Sequence, residues 1–112
     1  EWQTDGLSTA AKTLLKQLQK EKRLDTTTLS SLKGKTIGDV TRELEQRLLI
    51  HSEQIHTASG AHAKIIETWD SWADRVRLSA RQTDSGEAKL FLENHVKELN
   101  RKFGSNARLP WR

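Results

Sequence analysis

The chain has 112 residues, of which 34% are hydrophobic and 30% charged, with a formal net charge of +4 and a sequence isoelectric point near 9.6. This length suits one domain or a part of a larger protein. No apolar run approaches the roughly 18 residues of a membrane-spanning helix, and no secretory segment opens the chain. The absence of Cys excludes disulfides, a thiolate nucleophile and a Cys-ligated zinc site. We therefore expect an intracellular protein, cytoplasmic or nuclear.

The N-terminal third of the chain predicts two helices. Residues 7–23 carry apolar side chains at the i, i+3, i+4, i+7 spacing of one helix face, and Ser8 is placed to cap the N-terminus. The predicted buried stripe of this helix consists of Ala11, Leu14, Leu15 and Leu18. Residues 26–32 are rich in Thr and Ser, which are poor helix formers but good caps, so a short second helix is expected there. Leu29 and Leu32 would anchor it to the core.

Residues 36–48 predict a third helix. Thr36 is the expected N-cap, and Asp39 follows three positions later, much as in a capping box. The predicted buried stripe consists of Ile37, Val40, Leu44 and Leu48. The polar side chains that lie largely away from this stripe are Arg42, Glu43, Glu45, Gln46 and Arg47.

The centre of the chain predicts a β-hairpin. Residues 49–57 and 62–69 lose the helical period and are richer in β-branched and aromatic residues, which favours two antiparallel strands. Ser59 and Gly60 between them suit a hairpin turn. The alternation of apolar and polar side chains is imperfect, so the register of the pair stays open.

The C-terminal part of the chain predicts two more helices and a tail. Asp70 is placed to cap a short helix within residues 70–82. Residues 85–103 predict a longer helix, with Asp84 as its N-cap and Gly104 as its C-terminal stop. The apolar face of this last helix consists of Ala88, Leu92, Val96, Leu99 and Phe103, with Phe91 beside them.

The order of these elements resembles the winged helix-turn-helix superfamily over roughly residues 7–69. The resemblance depends on the element order, on the Leu and Ile spacing of the three helices, and on the Ser-Gly hairpin directly after the third helix. It implies an α+β fold of three helices plus a β-hairpin wing, here with an additional C-terminal helix. We expect a winged-helix core over residues 1–82, with residues 83–112 packed on it. A weaker similarity, to winged-helix DNA-glycosylase-like proteins, depends on residues 56–62 and 67–69 and assigns no catalytic residue.

In that superfamily the third helix enters the major groove of DNA and the wing touches the backbone or minor groove. The resemblance therefore implies double-stranded DNA as the partner, contacted by residues 36–48 and 57–64, in a regulatory protein or a larger nucleic-acid-acting one. The expected base contacts come from Arg42, Gln46 and Arg47, and the expected phosphate contacts from Lys33, Lys35 and Lys64. Thr36, Ser59 and His62 complete the expected DNA-contacting set.

The charge distribution argues against DNA binding. Residues 36–69 hold three Lys or Arg and five Asp or Glu, a net charge of −2, whereas the two flanking parts carry +3 each. Asp39, Glu43 and Glu45 lie in the third helix, where DNA phosphates would repel them. The alternative is a protein-interaction module that uses the acidic third helix or self-associates through the C-terminal helix.

Histidines and tryptophans of the central region suggest other roles. His51, His56 and His62 invite a zinc interpretation, but the first two are five residues apart and face opposite sides of a regular strand, so no metal site is predicted. Trp69 and Trp72 are expected to fill the core between the sheet and the last helix, with stacking on bases as the alternative.

The sequence does not favour an enzyme. It has no Gly-rich phosphate loop followed by Lys-Ser or Lys-Thr and no nucleophile elbow, so neither independent catalysis nor a bound cofactor is expected. The chain also contains no Met, so Glu1 is not a natural start. We expect a fragment of a longer protein, and an accessory domain of a nucleic-acid enzyme is compatible with that expectation.

Overall fold

Over the residues that it describes, the computed structural model of the chain shows an α+β fold with four α-helices and a three-stranded antiparallel sheet. The parts of the chain that it describes are residues 2–29, 36–60, 62–79 and 83–111. The chain divides into two compact units, Glu1–Ser79 and Ala80–Arg112. Within the described ranges, no helix is long and apolar enough to cross a membrane.

Helix α1, Thr9–Glu21, begins at the predicted cap, because the Ser8 hydroxyl accepts a hydrogen bond from the Ala11 N–H at 3.1 Å. The members of the predicted stripe that are fully buried are Ala11, Leu14 and Leu18. The helix ends two residues before the predicted limit. Lys22 adopts a φ of +69°, which ends the helical path and leads the chain into the first strand.

Strand β1, Arg23–Asp25, is an element that the sequence pattern does not predict. It lies at one edge of the sheet and pairs antiparallel with a strand far along the chain, with Arg23 opposite Glu67 and Leu24 opposite Ile66. A three-residue strand has too few positions for a visible alternation, so only its distant partner defines it.

The predicted short second helix is shorter than expected in the part that the structure describes, although Leu29 packs against the core as predicted. Thr26–Thr28 form a 3-10 helix, and Leu29 after it is extended. Asp25 holds this turn by accepting hydrogen bonds from the backbone N–H and the hydroxyl of Thr27, at 2.9 and 2.8 Å. Both hydrogen bonds lower the pKa of Asp25, and the bond from the Thr27 backbone contributes more than the bond from its hydroxyl. Residues 30–35 lie outside the described part of the chain.

Helix α2, Ile37–Gln46, begins at the predicted Thr36 cap. Val40 and Leu44 of its predicted stripe are fully buried. Leu48, which is predicted to be buried with them, is 39% exposed. The reason is that the helix ends before this residue, and Leu48 turns the chain with a φ of +54°.

Strands β2, Ile50–His56, and β3, His62–Thr68, form the predicted hairpin, with Gly60 at a φ of +81° in the turn. The strand order is β1-β3-β2, and both pairings are antiparallel. Ile50 and Ile66 belong to the core formed with α1 and α2. Because side chains alternate along a strand, the residues adjacent to Ile50 and Ile66, which include His51 and Glu67, lie on the other face of the sheet.

Helix α3, Trp69–Arg75, follows β3 directly. Its N-cap is Thr68 rather than the predicted Asp70, since Thr68 Oγ1 accepts a hydrogen bond from the Ser71 N–H at 3.1 Å. Asp70 instead lies in the first turn, where the negative charge of a carboxylate stabilises the helix by interacting with the positive end of its dipole.

Helix α4, Ser85–Phe103, has both predicted ends. Asp84 caps its N-terminus, and Gly104 ends it in the left-handed conformation with a φ of +61°. No residue of α4 with a described side chain is buried, and Phe91 and Phe103 are each 69% exposed. The packing of this helix on the core stays a prediction.

The C-terminal tail folds back on α4. The Asn100 side chain donates to the Ala107 carbonyl and accepts from the Ala107 N–H, both at 2.9 Å. Near the chain end, Trp111 Nε1 donates to Glu93 Oε1 at 2.9 Å. These contacts dock the tail within its own unit.

Candidate nucleic-acid interface

The outward side of α2 carries two of the three predicted base-contacting residues. Arg42 and Gln46 are exposed, and they lie on one side of the helix with Asp39 at i, i+3, i+7 spacing. The Arg42 guanidinium is 3.7 Å from the Asp39 carboxylate, and both side chains are more than 60% exposed. A pair this exposed holds its arginine weakly, so Arg42 is available to a ligand.

Glu43 is committed to the fold. Its Oε1 accepts the Ser8 backbone N–H at 2.7 Å, and its Oε2 accepts the Ser8 hydroxyl at 2.6 Å. A carboxylate at this place accepts a hydrogen bond from the backbone N–H at the start of α1. Its negative charge also interacts favourably with the positive end of the α1 dipole. This acidic residue of α2 therefore stabilises the contact between two helices.

Glu45 is also engaged within the fold. Its Oε1 accepts hydrogen bonds from Lys64 Nζ, at 2.7 Å, and from the Ser52 hydroxyl. Partial burial acts to raise the pKa of Glu45, but the hydrogen bonds from Lys64 and Ser52, with the charge of Lys64, outweigh it and lower the pKa. Lys64, which is a predicted phosphate contact, thus lies in an ion pair between β3 and α2.

Arg47, the third predicted base contact, is half-buried against the N-terminal segment. Its Nη1 donates to the Trp2 carbonyl, and its own carbonyl accepts from Gln3 Nε2 at 3.0 Å. The structure therefore separates Arg47 from Arg42 and Gln46. Its observed role is to hold the start of the chain against the end of α2.

The remaining predicted contacts lie at the start of α2 and at the hairpin. Thr36 is exposed, and its hydroxyl accepts the Asp39 N–H at 3.2 Å. Ser59 and His62 are exposed at the hairpin. The two predicted phosphate contacts that fall outside the described residues are Lys33 and Lys35.

A cavity of about 320 Å³ separates the start of α2 from the hairpin. Its lining comes from the 3-10 helix, α2 and both hairpin strands, and includes Thr26, Gly38, Gln54 and His62. His62 therefore lies across this cavity from Gly38 at the start of α2, whereas Arg42 and Gln46 lie on the outward side of α2.

A buried carboxylate on the opposite face of the sheet has no counterpart among the predicted site residues. Glu67 of β3 is 1% exposed, and its Oε1 lies 2.7 Å from Arg75 Nη2 of α3. Its Oε2 lies 3.9 Å from Arg23 Nε of β1. His51 Nδ1 of β2 lies 3.3 Å from Oε1 without the geometry of a hydrogen bond. The Glu67 cluster, as we name these four side chains, joins all three strands to α3.

The electrostatics of the Glu67 cluster favour the ionised carboxylate. Burial acts to raise the pKa of Glu67, but the hydrogen bond and charge of Arg75, with smaller contributions from Ser71 and Arg23, outweigh it and lower the pKa. Glu67 also raises the pKa of Arg75 through that hydrogen bond. A fixed ion pair of this kind is suited to structure rather than to proton transfer at neutral pH.

The two central tryptophans lie beside this cluster. The prediction that both are core residues is wrong for Trp69, which is 42% exposed. Trp69 opens α3 and its Nε1 donates to the Leu48 carbonyl at 3.1 Å, so its ring lies at the surface. Trp72 is half-buried. The ring centroid of His51 lies 5.5 Å from the ring centroid of Trp69 and also 5.5 Å from that of Trp72.

The three central histidines do not converge on one point. His51 faces the Glu67 cluster, whereas His56 and His62 lie on the other face of the hairpin, with ring centroids 4.8 Å apart. In the described ranges, no group of three or more His, Asp or Glu side chains is arranged to hold a metal ion.

Comparisons with known proteins do not indicate a function for this chain. No family, curated protein or solved structure matches it significantly. Within the described residues, the predicted DNA contacts that are exposed are Thr36, Arg42 and Gln46 at α2, and Ser59 and His62 on the hairpin.

Proposed function

We propose that the chain is a winged-helix domain that binds double-stranded DNA, with α2 in the major groove and the hairpin against the backbone. The element order supports this proposal, since α2 precedes a β-hairpin whose second strand lies between β2 and β1. A helix followed by a two-stranded wing is the layout that the superfamily resemblance implies.

The observation that carries the proposal is the placement of the acidic residues of α2. Glu43 accepts hydrogen bonds from Ser8, and Glu45 is paired with Lys64. Asp39 is the one exposed carboxylate in α2, beside Arg42. Two of the three carboxylates of α2 are therefore engaged within the fold, and the outward side of the helix carries the Asp39–Arg42 pair, which is close to neutral.

The side chains in the proposed interface have the chemistry for groove contacts. Arg42 can donate two hydrogen bonds to guanine, and Gln46 can pair with adenine. The exposed hydroxyl of Ser59 and the ring of His62 would meet phosphates at the hairpin. Lys33 and Lys35 precede α2 in the sequence, and we propose them as further phosphate contacts.

The experiment that tests the role of α2 is fluorescence anisotropy with a labelled duplex selected from a random-sequence pool. Arg42→Ala is expected to weaken binding by about 1–3 kcal/mol and to relax the selected sequence at one position. Lys16→Ala removes the same charge from the exposed side of α1 and serves as the matched control. Equal losses for both variants would mean that α2 does not enter the groove.

Self-association through α4 is a second candidate function, favoured by its exposed apolar side chains. Phe91 and Phe103 are 69% exposed, and Leu99 is 40% exposed. Exposed apolar patches of this kind are typical of protein contacts. Sedimentation velocity over a range of concentrations tests this candidate, because a dimer through α4 would dissociate in a Phe91→Glu, Phe103→Glu double variant.

A further inference from the structure

The hairpin carries two histidines directly opposite each other. His56 of β2 pairs with His62 of β3 in the antiparallel register, and their ring centroids are 4.8 Å apart with the rings tilted by 57°. Both side chains are exposed. The two histidines are six residues apart in the sequence, which is not a spacing typical of metal ligands on a helix or a single strand. Only the pairing register of the hairpin brings them together.

We propose that His56 and His62 form a binding site for a first-row divalent cation, with water molecules as the remaining ligands. Two imidazole nitrogens about 2.0–2.1 Å from a tetrahedral zinc ion are roughly 3.3 Å apart. Rings whose centroids are 4.8 Å apart reach this spacing by rotation of their side chains. By the general order of stability for nitrogen ligands, Cu²⁺ binds more tightly than Ni²⁺ or Zn²⁺.

The neighbouring side chain of Gln54 suits the site. Its Nε2 lies 2.9 Å from His62 Nδ1, on the same face of the hairpin. A 180° rotation of the Gln54 amide would place Oε1 there instead, where it would accept the Nδ1–H and leave Nε2 of His62 as the metal-binding nitrogen. Histidines that bind metals usually make this kind of second hydrogen bond, because it fixes the tautomer and the ring orientation.

The surroundings also favour a cation there. Lys64 is the nearest basic residue along β3 on this face, and its charge is paired with Glu45 at 2.7 Å. His62 borders the cavity of about 320 Å³ beside α2, which leaves room for water ligands. His51 is excluded from the site because it faces Glu67 on the other side of the sheet.

The test is isothermal titration calorimetry of the 112-residue chain with CuCl₂, NiCl₂ and ZnCl₂ at about pH 7.5. One site per chain is expected. His56→Asn and His62→Asn should each weaken binding by roughly tenfold or more. His95→Asn, which changes an exposed histidine of α4, is the matched control and should leave the affinity unchanged.

A further readout separates a specific site from adventitious binding. Zn²⁺ should shift the amide resonances of residues 54–64 in a ¹H–¹⁵N spectrum and few others. Equal affinities in the chain and in the His56→Asn variant, or loss of binding in His95→Asn, would overturn the proposal. No DNA is present in these assays, so their outcome is independent of the proposed function.

Discussion

Glu43 of α2 caps the N-terminus of α1 by accepting both the backbone N–H and the hydroxyl of Ser8, at 2.7 and 2.6 Å. In a capping box this N–H is satisfied by a Glu three residues after the cap, but here that position is Ala11. A residue of another helix therefore supplies the missing acceptor. The contact explains why an acidic side chain is present in a helix that we propose to approach DNA.

Replacing Glu43 should destabilise the first unit. We expect Glu43→Ala to lower the free energy of unfolding by about 1–2 kcal/mol, since the Ser8 N–H and hydroxyl lose a charged acceptor. Urea denaturation of the chain measures the change. Asp39→Ala, an exposed carboxylate of the same helix, is the control and should stay within about 0.5 kcal/mol of the original chain. Equal losses would show that the Ser8 contact contributes nothing.

The Glu67 cluster should be the most sensitive polar site of the sheet. Glu67→Gln leaves Arg75 and Arg23 without their shared carboxylate, and we expect a loss of about 2 kcal/mol or more in the free energy of unfolding. Glu53→Gln is the matched control, because Glu53 lies 3.8 Å from Arg75 but is 51% exposed. The control should lose less than about 1 kcal/mol. Comparable losses in both variants would contradict a special role for burial.

Acid should weaken the fold through Glu67 and Glu45. The pKa of each is lowered in the folded chain from an ordinary value of 4.5. Because the folded pKa lies below the unfolded one, this stabilisation is fully present above the unfolded pKa and is lost as the pH falls through the folded pKa. Unfolding free energies measured from neutral pH to about pH 3 should fall less in Glu67→Gln than in the original chain. Parallel curves would show that Glu67 does not contribute to the acid dependence.

The ends of α1, α2 and α4 can largely be predicted from the sequence because their capping signals are local, whereas the predicted Asp70 cap of α3 is wrong. Ser8, Thr36 and Asp84 each cap the helix that follows, and Gly104 ends the last one, as the sequence predicts. The hairpin was accessible for the same reason, since its strands adjoin the Ser-Gly turn.

The contacts that define the site depend on residues far apart in the chain. The Glu67 cluster exists because β1 brings Arg23 opposite Glu67, and a three-residue strand leaves no periodic signal. The partners of Glu43 and Glu45 likewise come from the N-cap of α1 and from β3, so composition alone does not show that Glu45 is paired with Lys64 or that Glu43 accepts from Ser8. Charge counted along the sequence does not report which side chains neutralise one another.

Removal of the Asn100 side chain should release the C-terminal tail. Asn100 binds both backbone groups of Ala107 and also accepts the Ser105 hydroxyl at 2.7 Å. In Asn100→Ala we expect faster amide hydrogen exchange at Ala107 and a more solvent-exposed Trp111, with α4 itself retained. Asn94→Ala, an exposed position of the same helix, is the control. Unchanged exchange at Ala107 in Asn100→Ala would contradict the docking contact.

The salt dependence of duplex binding is the strictest test of the proposed DNA interface. A labelled random-sequence duplex is titrated with the chain at about 50 mM and about 200 mM salt, with anisotropy as the readout. The proposed DNA contacts predict binding that weakens steeply between the two conditions, because phosphate contacts release counterions. No binding at the lower salt, or an affinity that does not change with salt, would contradict DNA binding and direct the search to a protein partner.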